Sequence, residues 1–450
     1  MSPPPAQQGI LSGSDLIAGS PGLAPSLPEA FRSVAIPGGA RYWRKFAAFA
    51  GPGYLVAVGY MDPGNWATDI AGGSRFGYAL LSVILLSSFV AMYLQWLSLR
   101  LGIASGRDLA QLCRERFGPR ISVFLWATCE VAIAACDLAE VIGTAIALKL
   151  LFHIPLLAGV ALTIVDTLAI MVLQKRGFRY IEALAITLIG AIGACLALEF
   201  IYCRPDLGGV ALGFAPTARL LTDPAMLYVS LGIFGATVMP HNLYLHSSIA
   251  QTRRFDASPK GRREAIHFST VDCFVALTFA LLVNAAILVL AAAAFHNGHP
   301  EVAEIEDAYK LLSPVVGAAL ASVLFAVALL ASGQNSTLTG TMAGQIVMEG
   351  FTRFKMKPAV RRLLTRSIAV VPTFIVVALT GEASANKLLI FSQVILSLQL
   401  GFAVIPLVMF TSDEAVMGPF VNPVWVKITG WAVGAAIIGV NGWLVLQTFS

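Results

Sequence analysis

The chain has 450 residues, of which 57% are hydrophobic and only 12% charged, with a mean hydropathy of +0.78 and a formal net charge of +5. Soluble globular domains carry about 25% charged residues, so this composition excludes an ordinary soluble enzyme or binding module and makes lipid the natural solvent. The positive charge is scattered over short segments between apolar runs, which argues against nucleic acid as a partner, and the six cysteines form no CxxC pair that would mark a zinc site or a disulfide framework.

Residues 1–44 begin Met-Ser-Pro-Pro-Pro, are rich in Pro, Gly, Ser and Ala, and lack a basic start followed by an apolar core. They read as a disordered cytoplasmic N-terminal tail, not as a cleaved signal peptide. Residues 45–450 read as one membrane transport domain. A hydrocarbon core of about 30 Å needs about 20 apolar residues of helix. Stretches of that kind start near residues 46, 78, 121, 155, 180, 226, 270, 315, 367, 386 and 424, eleven in all. The expected fold is therefore all-α and integral to the membrane.

The basic residues orient these stretches. The tail through Lys45, residues 100–120, 175–179, 251–266 and 351–366, and Lys427 together hold 24 of the 30 Lys and Arg. The alternate segments hold only Arg75, Lys149, Arg204, Arg219, Lys310 and Lys387, and residues 297–311 are acidic through Glu301, Glu304, Glu306 and Asp307. The positive-inside rule then predicts a cytoplasmic N-terminus and, after eleven crossings, an extracytoplasmic C-terminus.

The first stretch is interrupted by Asp62-Pro63-Gly64-Asn65 and the sixth by Met239-Pro240-His241-Asn242, both of the form x-Pro-x-Asn. Proline removes a backbone donor and clashes with the preceding turn, which leaves peptide groups in need of partners at a depth without water. Simple proline kinks are the competing reading, but the two breaks lie five stretches apart, as a repeat placed inverted in the membrane requires. The expected repeats are about 46–203 and about 226–411, with an extra helix over 424–449.

An intramembrane carboxylate is costly unless it meets a cation or water, and the basic residues nearest Asp62 in sequence, Lys45 and Arg75, lie near the ends of its stretch. A cation is the expected partner. Asn65 adds an amide oxygen one turn on, and the break frees the Ala236 carbonyl. Met239 supplies a thioether, a soft ligand that suits Mn, Fe, Co or Cd better than Mg or Ca; a packing role for this Met is the alternative. The negative Asp62 argues against an amino-acid carrier, whose anionic substrate wants helix N-termini.

Three segments carry a family resemblance: Gly59-Tyr60-Met61-Asp62-Pro63-Gly64-Asn65; Gly235-Ala236-Thr237-Val238-Met239-Pro240-His241-Asn242; and Ser332-Gly333-Gln334-Asn335-Ser336-Thr337 with Gly340-Thr341-Met342-Ala343-Gly344-Gln345. From about residue 46 to its end, the chain resembles the Nramp family of proton-coupled divalent metal transporters, with Asn335 where Ser is expected and Gly401 where Pro is usual. The resemblance implies a LeuT-type fold of eleven helices, with two inverted five-helix repeats and unwound helices 1 and 6. It also implies uptake of Mn2+ and Fe2+, and ligation by Asp62, Asn65, the Ala236 carbonyl and Met239, joined in some states by Gln393.

Glu130, Asp137 and Glu140 fall on one face of the third stretch and cannot face lipid. A proton relay is expected, alongside or instead of a static network with Arg361 and Arg362. His241 either senses or passes protons, as an imidazole can near neutral pH, or steadies the break. Asp166, Glu182 and Glu199 lie nearer helix ends or on other helices and are expected to snorkel. Gly340 and Gly344 read as a close-packing GxxxG.

Neither HExxH nor GxSxG occurs, so no enzyme and no resident cofactor is expected. The metal ion is substrate, the proton co-substrate, and no obligate protein partner is evident. The expected location is a bacterial-type inner membrane. A sodium-coupled amino-acid or organic-solute carrier on the same fold is the alternative.

Overall fold

A computed structural model describes residues 25–37, 39, 41–174, 177–298, 304–317, 320–352, 358–380 and 383–449. In chain order the principal helices are α1 Tyr42–Phe49, α2 Pro52–Gly59, α3 Pro63–Phe76, α4 Leu81–Ser105, α5 Leu109–Arg116, α6 Pro119–Phe152, α7 Leu156–Gln174, α8 Phe178–Cys203, α9 Pro224–Thr237, α10 Pro240–Ile249, α11 Pro259–Phe295, α12 Ile305–Val316, α13 Ala321–Thr352, α14 Pro358–Thr380, α15 Ala383–Ser412 and α16 Val424–Phe449. Proline opens many of them at the first helical position, where its missing N–H costs nothing.

Seven helices among the described residues are long and apolar enough to cross a membrane. Their burial separates centre from rim. The apolar windows of α6 and α13 are 78% and 72% buried, whereas those of α8 and α16 are 33% and 28%. The rim helices turn Ile201, Val424, Trp425 and Ile428 outward, the arrangement expected where lipid and not water is the surrounding medium. All six cysteines are free.

The expectation of a disordered tail to residue 44 is corrected for its second half. Leu27, Ala30 and Val34 are buried, and β1 Val34–Ala35 pairs in parallel with β2 Arg253–Arg254. Arg32 N–H donates to the Gln251 carbonyl at 3.0 Å and Gln345 Nε2 donates to Glu29 at 3.0 Å. A few well-spaced apolar residues and backbone pairing hold a segment whose composition reads as tail.

The same side of the molecule contains a charged clamp on the entry to α2. Arg253 is 1% exposed, pairs with Glu182 at 2.6 Å and donates to the carbonyls of Phe49 and Ala50. Arg179 donates to the carbonyls of Ala48 and Ala50 and pairs with Glu182 at 3.1 Å. Asp272 accepts from Gly51 N and Gly53 N at 3.1 and 2.7 Å. Gly51, at φ 138°, makes the turn. Glu182 therefore does not snorkel: it is buried between two arginines, and a carboxylate so paired breaks at high cost when one partner is removed.

Asp108 caps α5, accepting from Gln111 N at 2.9 Å while its own N–H donates to Gln111 Oε1 at 3.1 Å. Burial pushes its carboxyl up to about 6, outweighing these hydrogen bonds and the nearby Arg114 charge. A carboxyl raised above its unfolded value near 4 binds more protons folded than unfolded, so its stabilising contribution is fully present below about pH 4 and is lost as pH rises through about 6. Thermal unfolding in detergent should show stability falling across that window in the native chain and a flatter profile in Asp108→Asn. An identical slope in both would exclude this carboxyl as its source.

Candidate functional site

The two breaks meet. Asp62 is the N-cap of α3, accepting from Asn65 N at 2.9 Å, and its Oδ1 also accepts from Asn65 Nδ2 at 2.6 Å. The same amide nitrogen donates to the Ala236 carbonyl at 3.2 Å, bridging α3 to the end of α9. Between α9 and α10, Val238 leaves helical geometry and Met239 becomes the extended cap of α10. A Cβ at Gly59 would stand 2.2 Å from Asn242 Nδ2, so any larger residue there has to displace the Asn242 amide from this junction.

Gln393 of α15 reaches the same junction. A Cβ at Gly64 would lie 1.8 Å from Gln393 Nε2, and that nitrogen donates to Ser392 at 3.0 Å, leaving Oε1 without a partner. Asp62 Oδ2, Asn242 Oδ1 and Asn284 Oδ1 are likewise buried acceptors without a donor. Such groups are rare in folded proteins, and here they gather at one crossing point. Among the described residues no three His, Cys, Asp or Glu side chains are grouped so as to hold a metal ion by themselves; the donor set is one carboxylate with amide and carbonyl oxygens.

Met239 is fully buried, in a small cluster with Ala132, Cys136 and Leu396, and its sulfur accepts from Asn242 Nδ2 at 3.7 Å. Cys136 lies within electrostatic reach of both Asp62 and Glu140. Its thiol donates to Glu140 Oε1 at 3.7 Å, and Glu140 further accepts from Ser336 at 2.7 Å and from Arg366 at 3.4 Å. A short chain of polar groups thus leads from the crossing along α6.

The acidic stripe is resolved into two parts. Glu140 and Asp137 stand together against Gly340 of α13, where a Cβ would lie 3.0 and 3.2 Å from their oxygens. Gly340 therefore makes room for carboxylates, beyond the helix packing expected of it. Glu130 accepts from Trp126 Nε1 of its own helix at 3.0 Å. The side chains of Arg361, Arg362 and Asp166 lie outside the described residues; the basic partner that is described is Arg366, 3% exposed and close to one turn further along α14. His241 is buried in the first turn of α10 with Nδ1 unpartnered.

Sequence reasoning missed a second polar line. His246 Nδ1 meets Gln95 Oε1 at 3.0 Å, Gln95 Nε2 donates to the Tyr60 hydroxyl at 2.8 Å, and Asn284 Nδ2 donates to the Tyr60 carbonyl at 2.8 Å and to Asn65 Oδ1 at 3.4 Å. These residues lie on four helices and on the cap that ends α2, and nothing in their local sequence links them. Asp69 is different. It is 1% exposed with Oδ2 unpartnered, and its position seven after Asp62 and four after Asn65 puts it on their helix face, a signal available in the sequence.

Two pairs of half-helices crossing inside an apolar bundle define the class: a multi-pass membrane transport protein of the broken-helix kind. Residues 53–447 match the family model described as Nramp, natural resistance-associated macrophage protein-like, and the chain belongs to that family. It is 58% identical over 425 residues to a protein of Nostoc sp. named divalent metal cation transporter MntH, covering 94% of this chain and 96% of that one. It is 59% identical over 428 residues to the like-named protein of Listeria monocytogenes, covering 95% and 96%. Among solved structures it resembles the Eremococcus coleocola manganese transporter, with TM-score 0.87, 42% identity, and 92% of this chain and 89% of that chain covered. A nucleobase-cation symporter, Mhp1, shares the fold alone, with TM-score 0.56 at 16% identity. The fold is the LeuT type with unwound helices 1 and 6, formed here by α2 with α3 and by α9 with α10.

Proposed function

We propose that this protein imports divalent transition-metal ions, Mn2+ and Fe2+ with Cd2+ and Co2+ also accepted, into the cytoplasm together with protons by alternating access. The observation that carries the reading is the convergence of Asp62, Asn65, the Ala236 carbonyl and Gln393 at the crossing of the two breaks, with unpartnered acceptors on Asp62 and Gln393 and Met239 opening the second break. Asn65 Nδ2 now points its hydrogens at both Asp62 and the Ala236 carbonyl. A half turn of that amide exchanges donor for acceptor, so a cation takes the place of the N–H group and gains three oxygens at once. Oxygen ligands with one thioether suit the softer divalent ions better than Mg2+ or Ca2+.

In this arrangement the chain crosses eleven times from a cytoplasmic N-terminus, with repeats of about 46–203 and about 226–411 and 424–449 as an added helix, and Asp62 lies near mid-bilayer, where the broken helices of such repeats meet. The proton route runs from Asp62 towards Glu140 and Asp137 through Cys136 and Arg366, with His241, Glu130, Arg361 and Arg362 as further members. A line of ionisable groups within a membrane is the usual form of a proton relay. Relatives named as divalent metal cation transporters and manganese transporters support the cargo.

Purified protein in liposomes tests this directly. An inward proton gradient should accelerate Mn2+ uptake, metal entry should acidify the lumen, and Mg2+ and Ca2+ should compete poorly. Metal-independent uptake of amino acids or other organic solutes driven by sodium would replace this reading with the alternative carrier.

A further inference from the structure

Glu199 of α8 is 1% exposed, yet neither of its carboxyl oxygens has a hydrogen-bond partner. It was expected to snorkel; instead it opens on an interior cavity lined also by Trp66 and Ile70 of α3, Phe295 of α11, Leu312 of α12 and Phe325 of α13. Trp66 is fully buried and its indole N–H is also unpartnered. Among the described residues, the polar side chains lining this apolar cavity are thus an indole donor and a carboxyl, which make no direct hydrogen bond to each other.

The cavity has room for about one water molecule. A water accepts from the indole and donates to the carboxyl, which satisfies both sides where no direct bond exists. No basic side chain lines the cavity among the described residues; the thiols of Cys195 and Cys203 on its own helix lie within electrostatic reach of Glu199. The indole plane is set by an edge contact with Phe325, ring centroids 5.2 Å apart, so its N–H direction is fixed before any water arrives.

We propose that Glu199 is a positioning residue which, through one buried water, holds the Trp66 indole and with it the turn of α3 that carries Asn65. Trp66 follows Asn65 directly in the chain, so a rotation of one tilts the other. The inference rests on Asn65 being a metal ligand, and its effect is on affinity for the ion.

The test is Mn2+ uptake and calorimetric Mn2+ binding for the native chain, Glu199→Gln, Glu199→Leu, Trp66→Phe and the Leu/Phe double variant. Losing one water-mediated link corresponds to roughly a five- to ten-fold rise in KM and Kd. That rise is expected in Glu199→Leu and in Trp66→Phe, with the double variant no worse than either, while Glu199→Gln, which keeps an acceptor, stays within about two-fold. Native affinity in both singles, or additive losses in the double, overturns the proposal. The indole N–H vibration, assigned by subtracting Trp66→Phe, gives a readout independent of transport and of the Leu variant's folding: a hydrogen-bonded band in the native chain is expected, and a free N–H band sinks the idea. If the native chain binds no Mn2+, the metal reading fails and this vibration alone decides between a held and an unheld indole.

Discussion

Asp62→Asn should abolish metal uptake and the proton entry that accompanies it while leaving the fold intact. Asparagine keeps an oxygen for the Asn65 N–H that starts α3, so the cap bond at 2.9 Å survives. What disappears is the only negative charge among the proposed ligands of the crossing, at a fully buried position. A dehydrated divalent ion without a counter-charge in a low-dielectric interior loses about 3–5 kcal/mol of binding, by analogy with a broken buried pair, so a fall of at least about 100-fold in affinity is expected. Calorimetric Mn2+ binding and liposome uptake read the loss, with thermal unfolding in detergent as the control. Native uptake by this variant would remove Asp62 from the ligand set.

Part of this site is legible in the sequence because it breaks local rules. Proline inside a long apolar run, twice, with Asn two residues on, conflicts with continuous helix and can be read without a partner in view. Isolated polar residues on otherwise ordinary helices carry no such conflict. His246, Gln95, Tyr60 and Asn284 become a hydrogen-bonded line only when α2, α4, α10 and α11 pack. The acidic stripe shows where periodicity stops helping: spacing finds the face of α6, but the partner of Glu140 depends on the axial offset of α14, which brings Arg366 to it.

The errors share one physical cause. Glu182 and Glu199 were expected to snorkel from near a helix end, but proximity to a membrane face says nothing about the lateral neighbours. One proves to be clamped by Arg179 and Arg253, the other to open on an interior cavity. Residues 25–37 read as tail because they continue a segment rich in Pro, Gly, Ser and Ala, and the β1 pairing that holds them lies more than 200 residues away in sequence. Contacts of that range leave no periodic trace.

Met239→Ala should retain Mn2+ transport at a reduced rate while narrowing the discrimination against Ca2+ and Mg2+ by about ten-fold, since it removes the one soft donor from a set of hard oxygens. Alanine also opens a cavity beside Cys136 and Leu396, and truncating a buried Met costs about 2–5 kcal/mol of stability, so loss of rate alone says little. Met239→Leu separates the causes. It conserves the volume, deletes the sulfur that accepts from Asn242, and should show the same relaxed selectivity with little change in thermal unfolding. Competition of Ca2+ and Mg2+ against Mn2+ uptake measures both variants. If leucine preserves the native selectivity, size and not softness governs this position, and the choice between metals must then lie with Asp62, Asn65 and Gln393.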